Sequence, residues 1–283
     1  MRFAALLAFG LMGGAALAQQ RSIALPELRS GSSYMSADIK AMQDDSFANP
    51  GMLWVEKGAK LWQTAPGSAA PAGVAGASAG VAGGPPAPAP APVPSNACAS
   101  CHHDASSSMR GVAARYPVFD ANTKQLLNLE GRINQCRSQR QGAAALAYES
   151  EELLALSAYV AHQSRGMPLN VSIAAAAQPH FEQGRTLYQR RIGQMNLACM
   201  HCHDWNAGKR LLAEPISQGH ANAFPAYRLE WQSAGSLHRR LRACYFGVRA
   251  QMPPPGSPEL LDLELFLAWR AQGLAVETPG VRR

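Results

Sequence analysis

The chain has 283 residues, 47 % of them hydrophobic and 16 % charged, and a formal net charge of +7. No basic cluster is interleaved with aromatic residues, which argues against a nucleic-acid partner, and a mildly basic surface suits small anions or acidic proteins. Beyond one N-terminal run, no stretch of continuous apolar residues approaches the length of a membrane span, and the uncharged residues 61–103 are broken by proline and glycine.

That run begins Met1-Arg2, continues from Phe3 to Leu17 and closes on Ala16-Leu17-Ala18. A positive start, an apolar core and an Ala-x-Ala site predict an export signal over 1–18 and a periplasmic mature protein. The remainder is long enough for two domains. Residues 19–50 read as an N-terminal extension of loops around one short helix. There Met35, Ile39 and Met42 recur at helical spacing, so this arm is expected to pack on a domain. A first helix is predicted through Leu53–Trp62, with Gly58 four residues before Trp62. It has a counterpart at Phe181–Tyr188, with Gly184 four before Tyr188. Glycine at such a position lets a second helix cross closely. Residues 64–95 are almost wholly Pro, Ala, Gly, Val and Ser. That composition cannot bury enough surface to order itself, and it reads as an exposed insertion without chemistry.

Two pentapeptides carry the chemistry: Cys98-Ala99-Ser100-Cys101-His102 and Cys199-Met200-His201-Cys202-His203. Cys-x-x-Cys-His is the attachment signature of c-type haem, in which two thiols add across the vinyl groups and the histidine binds iron. Three disulfides would be the ordinary reading of six cysteines in an exported protein. A zinc ribbon would use both pairs together. Neither alternative calls for a histidine directly after each pair. Two covalent haems c are therefore expected, on Cys98 and Cys101 with His102, and on Cys199 and Cys202 with His203.

The halves repeat. Ser150-Glu151-Glu152-Leu153-Leu154 runs in step with Ser257-Pro258-Glu259-Leu260-Leu261, each a serine cap before an amphipathic helix. Each half reads as helix, haem motif, sixth-ligand region, helix. The predicted fold is all-α, with two tandem class I cytochrome c-like domains over 51–170 and 171–283. The boundary is expected near Pro168 and the run Ala174–Ala177.

For the sixth ligand there are two kinds of candidate. Met167-Pro168 and Met252-Pro253 look like the distal element of electron-carrier cytochromes, whereas Cys136 and Cys244 stand alone. Arg132 precedes Cys136 by four residues, as Arg240 precedes Cys244. The first half has no methionine between Met109 and Met167, which favours Cys136 there and Cys244 in the matching place. Met252 ligation, a Cys136–Cys244 disulfide, and ligation by His220 or His238 remain open. His103 and His201 are expected at the surface or behind the ligands. Arg132 is expected to be structural.

A thiolate on iron lowers the reduction potential, which suits a reacting sulfur better than a general electron relay. On a helix Arg240 and Cys244 share one face, and a guanidinium fork matches a sulfonate-like oxyanion. The competing role for Arg239, Arg240, Arg242 and Arg249 is pairing with haem propionates.

These residues resemble the SoxA family, dihaem subunits of the SoxAX cytochrome. The resemblance covers the arm Asp45-Ser46-Phe47-Ala48-Asn49-Pro50-Gly51, both haem motifs with their lone cysteines, and Arg240 through Met252-Pro253. It implies L-cysteine S-thiosulfotransferase activity, in which thiosulfate is joined oxidatively to a cysteine of a SoxYZ-like carrier and two electrons leave through haem. Cys244 would carry the persulfide intermediate and ligate one iron, Arg240 would bind substrate, and Cys136 would ligate the other iron. A SoxX-like small cytochrome would complete a heterodimer. A dihaem electron carrier using Met252 and a haem sensor are the alternatives.

Overall fold

A computed structural model of the chain describes residues 22–67 and 96–283. The export signal over 1–18 and most of the Pro/Ala-rich insertion lie outside the described residues.

The arm makes two 3-10 turns, Leu25–Glu27 and Gly31–Tyr34, and helix α1 (Ala37–Asp44). Then follow α2 (Met52–Gln63), α3 (Cys98–His102), α4 (Ala105–Ser108), the hairpin β1 (Val118–Asp120) and β2 (Gln125–Leu127), α5 (Leu129–Arg140) and α6 (Glu151–His162). The second half repeats the order with α7 (Gln178–Gln189) and α8 (Cys199–His203). A small hairpin, β3 (Arg210–Leu211) and β4 (Glu214–Pro215), comes next. After it come β5 (Ala226–Arg228), β6 (Ser233–Gly235), α9 (Leu237–Gly247), α10 (Pro258–Arg270) and β7 (Gly280–Arg282). β7 pairs parallel to β5 on the edge opposite β6.

Helices dominate, so the expectation of an all-α fold holds roughly, but the described residues also include three small sheets. Strands of two or three residues are too short to show the alternation that marks a strand in sequence. The arm packs mainly against the far end of the chain. Asn49 Nδ2 donates to Pro279 O at 2.9 Å and Ser32 Oγ to Glu277 Oε1 at 2.8 Å.

The paired glycines act as expected. α2 packs on α6 and α7 on α10. A Cβ on Gly58 would lie 2.1 Å from Ala155 O, and one on Gly184 2.0 Å from Asp262 O. Both neighbours are backbone in the crossing helix and cannot step aside. Gly184→Ala should therefore cost about 3 kcal/mol of stability in denaturant unfolding, at the upper end of overpacking effects. Gly247→Ala, with nothing within 4 Å of the new Cβ, should cost nothing.

Buried apolar residues form one cluster around Phe181, Leu260, Leu263, Phe266 and Trp269, and another around Trp62, Leu129 and Val160. Between them lies a polar seam. His238 Nε2 is 2.9 Å from Glu264 Oε2, Tyr148 stacks on His238 at 5.6 Å, and Glu149 bonds Ser236 at the start of α9. Gly256 N donates to His238 Nδ1 at 3.0 Å, which fixes the ring proton on Nε2. Glu130 and Glu264 border a cavity of about 70 Å³ in this seam. Burial, reinforced by the Glu264 and Glu149 charges and opposed by a backbone hydrogen bond and His238, pushes the Glu130 carboxyl up to about 7. Between the ordinary carboxyl range and pH 7 the folded protein thus keeps a proton that the unfolded chain releases. Stability should fall by about 3 kcal/mol as pH rises through that window. Glu130→Gln should flatten the fall, as read by melting temperature from pH 5 to 8.

Candidate active site

Each haem motif is a single helical turn, too short to be stable alone, and is held by its neighbours. In the second half, Tyr188 OH donates to Asp204 Oδ1 at 2.8 Å, and the buried Arg270 guanidinium also pairs with Asp204, directly after His203. His203 Nδ1 donates to Ser217 O at 2.8 Å. A carbonyl partner holds Nδ1 and so turns Nε2 toward Cys244, the arrangement found for metal-ligating histidines. Gly219, at φ +71°, cradles the ring, since a Cβ there would lie 2.8 Å from His203 Cγ.

α9 brings Cys244 to this histidine. Ser236 caps the helix through Arg239 N at 3.1 Å, and Cys244 lies in its last turn. Burial raises the Cys244 thiol, but a hydrogen bond from His203 and the charges of Arg240, His203 and Arg228 prevail and bring it down to about 7. Cys199 and Cys202 lie close enough to feel the Cys244 charge. Two thiols for a porphyrin edge, an imidazole nitrogen and a facing sulfur thus converge, a donor set that fits a c-type haem with His and Cys axial ligands. Among the described residues, the half-buried Arg240 side chain has neither hydrogen bond nor ion pair.

In the first half, α5 is capped by Asn128 through Gly131 N at 2.9 Å and brings Cys136 near Cys98 and Cys101. Here burial pushes the Cys136 thiol up against the opposing charges of Arg132 and Arg140. His102 is exposed, and its ring lies 5.7 Å from Trp62. Arg132 is fully engaged. It donates from Nε to Tyr116 OH at 3.1 Å, pairs with Asp120 Oδ2 at 3.0 Å and bonds Gln135. Its expected structural role matches these contacts.

The open alternatives also find places. All six cysteines are free, and each lone cysteine lies with its own motif, so no Cys136–Cys244 disulfide links the halves. Met252 is 41 % exposed, on the wall of a groove of about 770 Å³ that Tyr245 and Arg249 also line. His238 has both ring nitrogens engaged in the seam, and His220 Nε2 lies 3.1 Å from Gln218 Oε1. His103 gives its carbonyl to Trp62 Nε1, and His201 accepts from Ala198 N while stacking on Trp205. Arg239 lies over the Trp231 ring at 4.2 Å, and Arg242 has a buried Nε without a hydrogen-bond partner among the described residues. Sequence reasoning overlooked Arg228, whose charge also acts on Cys244. Aligning the hairpins of the two halves would have found it, but three-residue strands gave no reason to do so.

The two folded haem motifs point to a c-type cytochrome, and residues 90–169 match the SoxA/TsdA cytochrome c domain family. Over 90 % of this chain and 80 % of the relative, it is 40 % identical to the L-cysteine S-thiosulfotransferase subunit SoxA of Pseudaminobacter salicylatoxidans. It is 33 % identical to the Paracoccus pantotrophus subunit over 89 % of this chain and 78 % of that one. The crystal structure of SoxXA from P. pantotrophus superposes with a TM-score of 0.77 at 32 % identity, covering 90 % of this chain and 87 % of that chain. The chain belongs to the SoxA family.

Proposed function

We propose that this protein is the dihaem subunit of an L-cysteine S-thiosulfotransferase, acting on thiosulfate and a cysteine of a SoxYZ-like carrier. The observation that supports this best is the meeting of His203 and Cys244 beside an Arg240 that has no counter-ion among the described residues. Relatives bearing that activity in their names match nine-tenths of the chain.

In this reading the protein comprises two tandem haem domains, 51–170 and 171–283, exported by the leader at 1–18. Cys98 and Cys101 would attach one haem, with His102 and Cys136 as its iron ligands, and Cys199 and Cys202 the other, with His203 and Cys244. The bound haem supplies a one-electron acceptor next to the reacting sulfur. Arg240 holds the oxyanion end of thiosulfate while its outer sulfur joins the Cys244 sulfur with loss of two electrons, a persulfide bond that still bears the sulfonate. The carrier thiolate then takes the S–SO3 group, breaking that bond and releasing the Cys244 thiolate. Overall, one thiosulfate dianion and one carrier thiol give the carrier S-thiosulfonate monoanion, one proton and two electrons. The new bond is S–S, both sulfurs that form it are oxidised together, and the electrons pass to cytochrome c through a SoxX-like subunit. The buried thiol of Cys136 and the fully paired Arg132 suit a structural first haem.

Mass spectrometry of the Cys244 peptide from protein incubated with thiosulfate tests the reading. Added sulfur on Cys244 is expected, and an unmodified thiol in every preparation would contradict the intermediate. The electron-carrier alternative has less support, because Met252 lies exposed on a groove wall while Cys244 meets His203.

A further inference from the structure

Residues 117–136 align without a gap onto 225–244, and the structure keeps the register. Asp120 pairs with Gln125 across the first hairpin, as Arg228 pairs with Ser233 across the second. Both segments run from a proline through a hairpin, a polar cap and a helix to the lone cysteine. On this common frame Arg132 and Arg240 are equivalent, yet their surroundings are opposite. Arg132 is held by Tyr116, Asp120 and Gln135. At the equivalent positions the second half has Phe224, Arg228 and Ala243. Each replacement removes an oxygen that could accept from the guanidinium, and one of them substitutes a second positive charge for a negative one.

Arg228 does not escape to solvent. Its side chain is 11 % exposed, with Nε 2.9 Å and Nη2 2.6 Å from Glu230 Oε1 and the guanidinium 5.0 Å from the Trp231 ring centre. The shared register brings Arg228 to the flank of Arg240 that Asp120 occupies beside Arg132. Two guanidinium groups there repel each other, and one exposed carboxylate offsets only part of that charge. Such a pair is stable when a doubly charged anion lies between them.

We propose that Arg228 is a second substrate-binding residue beside Arg240, and that together they select a dianionic sulfur oxyanion over monoanions at Cys244. The inference rests on the thiosulfate-transfer reading above and adds to it the charge state that the site recognises. The first half, with aspartate in place of Arg228, is its built-in counterexample. There the ion pair fills the space an anion would take.

The test uses the full two-haem protein with its partner subunit and carrier. Arg228→Gln should raise KM for thiosulfate about 10- to 100-fold, the range for one charge-assisted hydrogen bond, with kcat changed far less. Arg228→Asp should raise KM further, because it rebuilds around Arg240 the pair that locks Arg132. Sulfate, an unreactive dianion, should bind the wild-type protein in calorimetry and inhibit it, and nitrate should do neither; both variants should lose sulfate binding. Unchanged KM and sulfate binding in Arg228→Gln, with the wild type turning over thiosulfate, would overturn the proposal. So would equal affinity of the wild type for sulfate and nitrate. A wild type that binds sulfate but turns over no thiosulfate would instead overturn the thiosulfate-transfer reading while leaving the dianion receptor in place.

Discussion

Cys244→Ala should reduce thiosulfate-dependent reduction of cytochrome c, in the presence of carrier, to the background rate, a loss of at least about a thousandfold. Loss of a covalent nucleophile is among the largest single-residue effects in enzymes, because no neighbouring group can take over the bond it forms. The candidates near Cys244 bear this out. Cys199 and Cys202 belong to the haem attachment motif, and Met252 lies exposed on the groove wall. The same substitution should leave haem attached at Cys199 and Cys202, since attachment needs only those thiols and His203. Haem-stained gels would separate loss of chemistry from loss of haem. Cys136→Ala is the matched control and should retain activity, because Arg132 beside it is already filled by Asp120.

Arg240→Ala should lower kcat/KM for thiosulfate about a hundredfold, equivalent to about 3 kcal/mol for a charge-assisted contact in a half-buried site. Arg240→Lys should recover only part of this, as an ammonium keeps the charge but loses the two-pronged geometry. The folded protein should lose little stability, because Arg240 holds no other side chain among the described residues. Arg132→Ala should do the reverse. It removes the ion-pair partner of Asp120, which keeps its bonds from Asn122 N and Gln135 Nε2, and the contacts to Tyr116 and Gln135, so it should lower the melting temperature. Thiosulfate turnover at a temperature well below the melting point should be unaffected. Opposite outcomes at equivalent positions would separate the working half from its structural copy.

Much of this was legible in the chain. A histidine directly after each Cys-x-x-Cys pair is a signature independent of context, so both motifs could be picked out without coordinates. The serine-capped helices at 151–162 and 258–270 and the glycines at their crossings followed from periodicity and from the room a missing Cβ leaves. The sheets escaped because their strands are shorter than the alternation that would reveal them. Arg228 escaped for the same reason, as its importance depends on standing where Asp120 stands in the other hairpin. The orientation of His203 depends on Ser217 O, a backbone atom that any residue could supply, so no side-chain pattern announces it. The polar seam of Glu130, Glu264 and His238 is assembled from both halves, and only the fold brings it together.

The central claim is that Cys244 and His203 would together hold the iron of the second haem. Low-temperature electron paramagnetic resonance of the ferric protein reads axial ligation at each haem separately. Two low-spin signals of the thiolate–imidazole type are expected, with one lost in Cys244→Ala and the other in Cys136→Ala. Two signals that survive Cys244→Ala, with one lost instead in Met252→Ala, would contradict the claim.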